Sequence, residues 1–188
     1  MSEILLEPLL RRLRVRRVIS QIPTGARVLD IGCGRSAALL TEIAPRISYG
    51  IGIDFKVPQL KHGNIETIAL KLDQALPFPD GSFDVVTMLA VLEHIEHEAL
   101  ILQEIHRVLK DSGKLILTVP SIWAQPVLEF LAYRLKIVDE AEIRDHKRYY
   151  DRKRLQQVML EKASFQSFQH RYFQFGMNNF CSVEKRGA

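Results

Sequence analysis

The chain has 188 residues, 47% hydrophobic and 26% charged, with 26 basic against 22 acidic side chains and a formal net charge of +4. This balance excludes a disordered polyelectrolyte and a disulfide-stapled miniprotein, and a chain of this length buries roughly 70% of its unfolded surface. One compact domain over residues 1–188 is therefore expected, and the modest positive charge fits an anionic partner and plain solubility equally well.

The longest near-apolar window, residues 122–138, is broken by Gln125, Glu129, Arg134 and Lys136, short of the about 20 apolar residues that a membrane span needs. Arg11, Arg12, Arg14, Arg16 and Arg17 precede no apolar core with a small-residue cleavage site, so a secretory leader is not expected. Cys33 and Cys181 sit in no CxxC pair and beside no metal-spaced histidines, which predicts a reducing, cytoplasmic setting and assigns no metal.

In chain order, residues 1–24 read as a helical extension, followed by a buried strand at 26–31, a helix at 36–44 and a second strand at 49–54. The next connection is short and holds Pro58, Gly63 and Asn64, leaving room for a helix of about one or two turns. Strands follow at 67–72 and 83–89, then a helix at 97–109 with Leu102, Ile105 and Leu109 on one stripe, stopped by Asp111, Ser112 and Gly113. After a strand at 114–119, residues 121–150 read as an acceptor-side lid carrying Trp123, Val127, Leu128, Phe130, Leu131, Tyr133 and Leu135, whose spacing suits an apolar lid and a plain core helix alike. Asp151 is placed to cap a helix with Leu155, Val158 and Met159 facing the core, and segments 166–174 and 177–184 read as a closing hairpin. Strands alternating with helices mean a parallel sheet, and no repeat or linker divides it.

The chemistry concentrates where the first strand runs into Gly32, Cys33 and Gly34. Glycines at such a turn let a ligand approach the backbone closely, and Asp54, 24 residues after Asp30, ends the next strand where a carboxylate can accept both hydroxyls of an adenosine ribose. Gly32, Gly34 and Ala37 also satisfy the weak dinucleotide pattern GxGxxG/A. A pyrophosphate is disfavoured beside Asp30, whereas a cofactor with an ammonium and a sulfonium is favoured.

These residues resemble the class I S-adenosylmethionine-dependent methyltransferases, especially the branch that includes the ubiquinone and menaquinone biosynthesis methyltransferases. The resemblance covers roughly residues 25–185 and rests on VLDIGCG at 28–34, GID at 52–54, LPFPDGSFDVV at 76–86, LEHI at 92–95, and RVLK at 107–110 with Gly113. It implies a Rossmann-like α/β fold: a seven-stranded, mostly parallel sheet with an antiparallel last strand and helices on both faces. It also implies that Asp30 and the Gly32, Cys33 and Gly34 turn hold the methionine part of S-adenosyl-L-methionine, that Asp54 with Phe55 holds the ribose side, that Asp73 and Gln74 meet the adenine, and that Leu89 to Glu93 line the methyl-donor face. The product would be S-adenosyl-L-homocysteine. Ser36, where a third glycine is common, and Asp111-Ser112, in place of a frequent Pro-Gly, depart from the family pattern.

In-line methyl transfer mainly requires alignment, plus deprotonation when the acceptor demands it. His94 and His146 are the candidate bases, because imidazole titrates near neutral pH; each also reads as a structural residue. Tyr149 and Tyr150 read as packing residues before hydrogen-bonding ones. No exocyclic-amine clamp and no Pro-Cys nucleophile motif occur. The basic residues Arg144, Lys147, Arg148, Arg152, Lys153 and Arg154 fit an anionic acceptor, but without interleaved aromatics nucleic acid stands behind a small-molecule or lipid-like acceptor. Leu6, Leu9, Leu10 and Leu13 with their arginines suit peripheral membrane contact as well as a helix capping the sheet. Alternatives kept open are a non-catalytic cofactor-binding protein and a nicotinamide-dependent oxidoreductase; oligomeric state is not encoded legibly.

Overall fold

The computed structural model describes residues 6–72, 75–133 and 140–187. Helix α1 (Leu6–Ile19) leads into β1 (Arg27–Ile31), α2 (Ala38–Ile43), β2 (Tyr49–Asp54), β3 (Leu60–His62), β4 (Ile65–Ala69), β5 (Phe83–Leu89), α3 (Glu98–Val108) and β6 (Leu109–Pro120). Helices α4 (Ala124–Tyr133), α5 (Glu140–Asp145) and α6 (Arg152–Gln156) precede the terminal hairpin of β7 (Gln166–Phe173) and β8 (Asn178–Glu184).

All eight strands share one sheet in the order β3-β4-β2-β1-β5-β6-β8-β7. The strands from β4 to β6 are mutually parallel, β8 runs antiparallel to β6 and β7, and β3 runs antiparallel to β4. Central parallel strands are covered on both faces, so their side chains alternate between two apolar layers. Leu29 and Ile31 of β1 join α3 residues Ile101, Leu102, Ile105 and Val108 and the later Leu155, Val158 and Met159 on one face. Val28 joins Val15 and Val18 of α1 with Leu39, Leu40 and Ile43 of α2 on the other.

The order in which strands are added reverses between β1 and β5, which run parallel: successive strands build outward from β1 through β2 to β4, then from β5 through β6. In such a fold the carboxyl ends of the strands flanking that switch point leave a crevice for ligands. No helix among the described residues is long and apolar enough to cross a membrane.

The structure corrects several boundaries. The sheet has eight strands where seven were expected, because the connection after Asp54 forms no helix: β3 folds back on β4 through Gly63, whose φ is +58°. The strand expected at 67–72 begins at Ile65, since the Asn64 side chain donates to the carbonyls of Ala44 (3.0 Å) and Ile47 (2.8 Å) and sets the pairing of Gly50 with Ile65. Helix α2 starts two residues late because Ala37 takes a left-handed conformation, φ +42°. Leu109 belongs to β6, and residues 110–113 bulge where the β5–β6 register shifts, with Ser112 at φ +60°. Asp151 caps α6 as expected, accepting from the Arg154 N–H at 2.7 Å.

Leu102 is fully buried on α3, so Leu102→Ala is expected to lower unfolding free energy by about 3 kcal/mol in urea, through lost transfer energy and the cavity left behind. Asp151→Ala should cost only about 1 kcal/mol, the typical worth of one N-cap.

Candidate functional site

The chain leaves β1 through two left-handed glycines, Gly32 at φ +74° and Gly34 at φ +67°. A Cβ at Gly32 would lie 2.2 Å from Val91 Cγ2, so this position is closed by the segment after β5; one at Gly34 meets nothing within 4 Å. The Gly32 and Cys33 N–H groups donate to the Ile53 carbonyl at 2.8 and 3.2 Å, fixing the turn to β2. Asp54, the last residue of β2, accepts from the Gly34 N–H at 3.0 Å and the Lys56 N–H at 2.7 Å. Its carboxylate thus stands beside the open side of the turn. The next residue, Phe55, is 66% exposed, with Lys56 Nζ 4.7 Å from its ring centroid.

Asp30 is buried and its Oδ1 accepts from the Thr87 hydroxyl at 2.7 Å. Burial raises its carboxyl to about 7, against the Thr87 hydrogen bond, with Asp54 adding to the rise. Such a group gains most from a cation placed against it. Cys33 is buried within the turn, and burial together with Asp30 and Asp54 pushes its thiol up to about 12, so it is a small neutral filler and no nucleophile. Leu89, half-buried, closes β5 at the same end of the sheet. The predicted adenine-side residues Asp73 and Gln74 lie outside the described residues.

Beyond β5 the chain makes a single 3₁₀ turn, Leu92–His94, and the structure brings both candidate histidines together there. The His94 and His146 ring centroids are 4.8 Å apart although the residues are 52 positions apart in the chain. His94 Nδ1 donates to Asp145 Oδ2 at 3.0 Å, and His146 Nδ1 lies 3.2 Å from the Tyr149 hydroxyl. Burial, and then the neighbouring His94, push His146 down to about 4 despite Asp145, so its imidazole is neutral at physiological pH. Desolvation works to raise Asp145, but Lys147 and His94 hold it below the usual carboxylate range.

What joins these segments is Glu98, at the start of α3 and 7% exposed. It accepts from the Tyr150 hydroxyl at 2.6 Å and pairs with Arg154 at 3.1 Å and Arg148 at 3.4 Å. Arg148 also donates to the carbonyls of Ile95 (2.8 Å) and Glu96 (3.1 Å), and the Lys147 N–H donates to the Glu93 carbonyl at 2.8 Å. Two of the basic residues read as candidates for an anionic acceptor therefore work inside the protein. Tyr150 is fully buried, so its ring packs as expected, but its hydroxyl also serves Glu98.

Sequence reasoning gave no role to Glu98 or to Asp145. A buried carboxylate that gathers two arginines leaves no local signal, and only the excess of basic residues at 144–154 hinted that an acid was needed nearby. Of the segment expected to form a lid, Ile122, Trp123 and Val127 are exposed at this end of the sheet, while the side chains of residues 129–142 lie outside the described ones.

A family model described as a methyltransferase domain matches residues 5–170. The chain is 29% identical over 148 residues to demethylmenaquinone methyltransferase of Listeria monocytogenes serotype 4a, covering 70% of this chain and 62% of that protein, so it spans about three-fifths of that relative. In fold it resembles a chain from the complex of the Haloferax volcanii Trm112 methyltransferase activator with a methyltransferase, at TM-score 0.75 and 14% identity, covering 92% of this chain and 89% of the other. It also resembles Haemonchus contortus phosphoethanolamine N-methyltransferase 2 solved with S-adenosyl-L-methionine, at TM-score 0.63 and 13% identity, over 94% and 52% of the two chains.

The two turn glycines are expected to respond differently to alanine. Gly34→Ala should cost about 1 kcal/mol, the backbone penalty of a left-handed residue, while Gly32→Ala, which adds the Val91 clash, should cost about 3 kcal/mol in denaturant melts.

Proposed function

The chain belongs to the methyltransferase-domain family, and from that membership we propose that it is an S-adenosylmethionine-dependent methyltransferase acting on a small-molecule or lipid-like acceptor, at oxygen or carbon. The single observation that carries this reading is the open cradle at Gly34 with the Asp54 carboxylate beside it and a buried, cation-seeking Asp30 behind it.

The donor set fits the group. Asp30 offers a carboxylate to an ammonium, Asp54 offers acceptor oxygens to a vicinal diol, Gly34 allows close backbone approach on a turn that Gly32 and Cys33 shape, and exposed Phe55 and half-buried Leu89 supply apolar surface. Asp73 and Gln74 complete the adenine side in this proposal. When bound, S-adenosyl-L-methionine supplies an electrophilic methyl group whose bond to sulfur breaks as the bond to the acceptor forms, leaving S-adenosyl-L-homocysteine.

The protein's own part is to align the acceptor, exclude water and direct the acceptor's proton. His94 and His146 stand on that side, oriented by Asp145 and Tyr149. Residues 121–150 act as the acceptor-side lid, presenting exposed Ile122, Trp123 and Val127, while Val15, Val18 and Ile22 of the N-terminal extension pack into the other helical layer. The name of the Listeria relative supports a small-molecule acceptor. Contact with an anionic membrane surface through exposed Leu13 and Arg16 belongs to the same proposal, and co-sedimentation with anionic liposomes checks it.

Calorimetric titration is expected to show saturable binding of S-adenosylmethionine and S-adenosylhomocysteine and none of NADH. Binding of NADH alone would move the protein to the oxidoreductases, and cofactor binding with no methyl transfer to any acceptor would leave a non-catalytic binding protein. Asp54→Ala should weaken cofactor binding by about 1.5–3 kcal/mol, the scale of hydrogen bonds to a charged group. His94→Gln should lower turnover by about 100-fold with cofactor affinity unchanged.

The raised Asp30 gives a pH dependence with a definite sign. Its carboxyl holds a proton to higher pH in the folded than in the unfolded chain, so ionising it costs stability increasingly as pH rises from about 4 to about 7. An ammonium ligand needs the ionised form, so cofactor binding is expected to tighten from about pH 5.5 to about pH 7.5 and to release a proton near neutrality. Titrations in two buffers of different ionisation enthalpy measure this, and Asp30→Asn should abolish it.

A further inference from the structure

We propose that Glu93, His94 and His146 form a binding site for a single divalent transition-metal ion of the zinc type. One ligand atom from each residue lies within 4.8 Å of the others, a separation that an ion bonded to all three at about 2.0–2.2 Å closes with small side-chain movements. Two imidazoles and a carboxylate are the donor set of an open zinc site, which leaves at least one position for a water or a substrate oxygen.

The surroundings of the three residues are what such a site requires. An imidazole ligand uses one ring nitrogen for the ion and needs the other held by an oxygen partner, which fixes the ring and its tautomer. Both histidines have this arrangement at Nδ1: His94 on Asp145 Oδ2 at 3.0 Å, His146 beside the Tyr149 hydroxyl at 3.2 Å. Each ring offers one ligand atom to the cluster. Glu93 is buried, 1% exposed, and stands next to His94 in the 3₁₀ turn, while the Lys147 N–H on the Glu93 carbonyl and Arg148 on the Ile95 and Glu96 carbonyls pin the segment that carries His146. Lys147 Nζ lies 3.4 Å from the other Asp145 oxygen and holds that carboxylate in place.

The position gives the ion a use. Val91, one residue before the 3₁₀ turn, fills the space against Gly32, so the cluster adjoins the glycine turn on the acceptor side. An acceptor hydroxyl bound to a divalent ion loses its proton far more readily than a free one, so the imidazoles would act on the acceptor through the ion in place of taking the proton themselves. This use rests on the methyl-transfer reading; the binding of the ion does not. The substrate class it selects is a hydroxylated acceptor, methylated at that oxygen.

Metal-stripped full-length protein titrated with Co²⁺ should show visible d–d bands saturating at one ion per chain, displaced by Zn²⁺, with a higher melting temperature. Glu93→Gln, His94→Gln and His146→Gln should each weaken Co²⁺ binding by about 100-fold or more, and Asp145→Asn, which only orients His94, by about 10-fold. Absence of saturable Co²⁺ bands in the wild-type protein overturns the proposal, as does unchanged binding by a folded His94→Gln/His146→Gln variant. Calorimetry with S-adenosylhomocysteine on the same samples separates the two readings. Nucleoside binding without cobalt bands removes the metal site and spares the methyltransferase. Cobalt bands lost in the variants, without nucleoside binding, keep the site and remove its use in methyl transfer.

Discussion

The arrangement of the candidate site depends on one buried carboxylate, Glu98. It stands at the start of α3, away from the reacting groups, and collects the Tyr150 hydroxyl and the Arg148 and Arg154 guanidinium groups. A carboxylate at that depth is tolerable only with such partners, and removing one weakens the compensation of its buried charge. Because the three partners lie on the segment that follows α5 and Glu98 on the segment that follows β5, satisfying Glu98 is the same event as bringing His146 to His94. Electrostatic satisfaction in one place thereby sets geometry in another.

The two halves of the crevice are built from different materials. On the cofactor side the backbone does most of the positioning: left-handed glycines, N–H groups on the Ile53 carbonyl, and Asp54 tied to Gly34. On the other side, side chains position side chains, as Asp145 does His94. Backbone turns need particular residues at particular places and leave a mark in a sequence. Networks of side chains need only complementary partners, which distant parts of the chain supply.

That difference explains what was legible. β1, β2 and β5 are apolar runs buried on both faces, and their bounds were readable to within a residue, as were the glycine turn, the Asp151 cap and the closing hairpin. The β3 hairpin was not, because Leu60, Lys61 and His62 are all exposed and show no alternation. The late start of α2 turns on the backbone of Ala37, a residue that ordinarily favours a helix. His94 and His146 were readable as residue types, but their adjacency was not, since it comes from Glu98 and from the docking of Arg148 on two carbonyls.

The placement of β8 has a consequence for how the chain assembles. β8 holds the last strand residues, yet it lies between β6 and β7, paired along seven positions with β6. During synthesis β6 emerges well before its antiparallel neighbour and carries Leu115, Ile116, Leu117 and Val119, all apolar and destined for burial. A strand edge of that kind is a template for pairing with other chains until it is covered. The nascent protein thus carries this apolar edge while residues 121–184 are being added and covers it only when β8 pairs with β6, a stage at which chaperone protection has the most to offer.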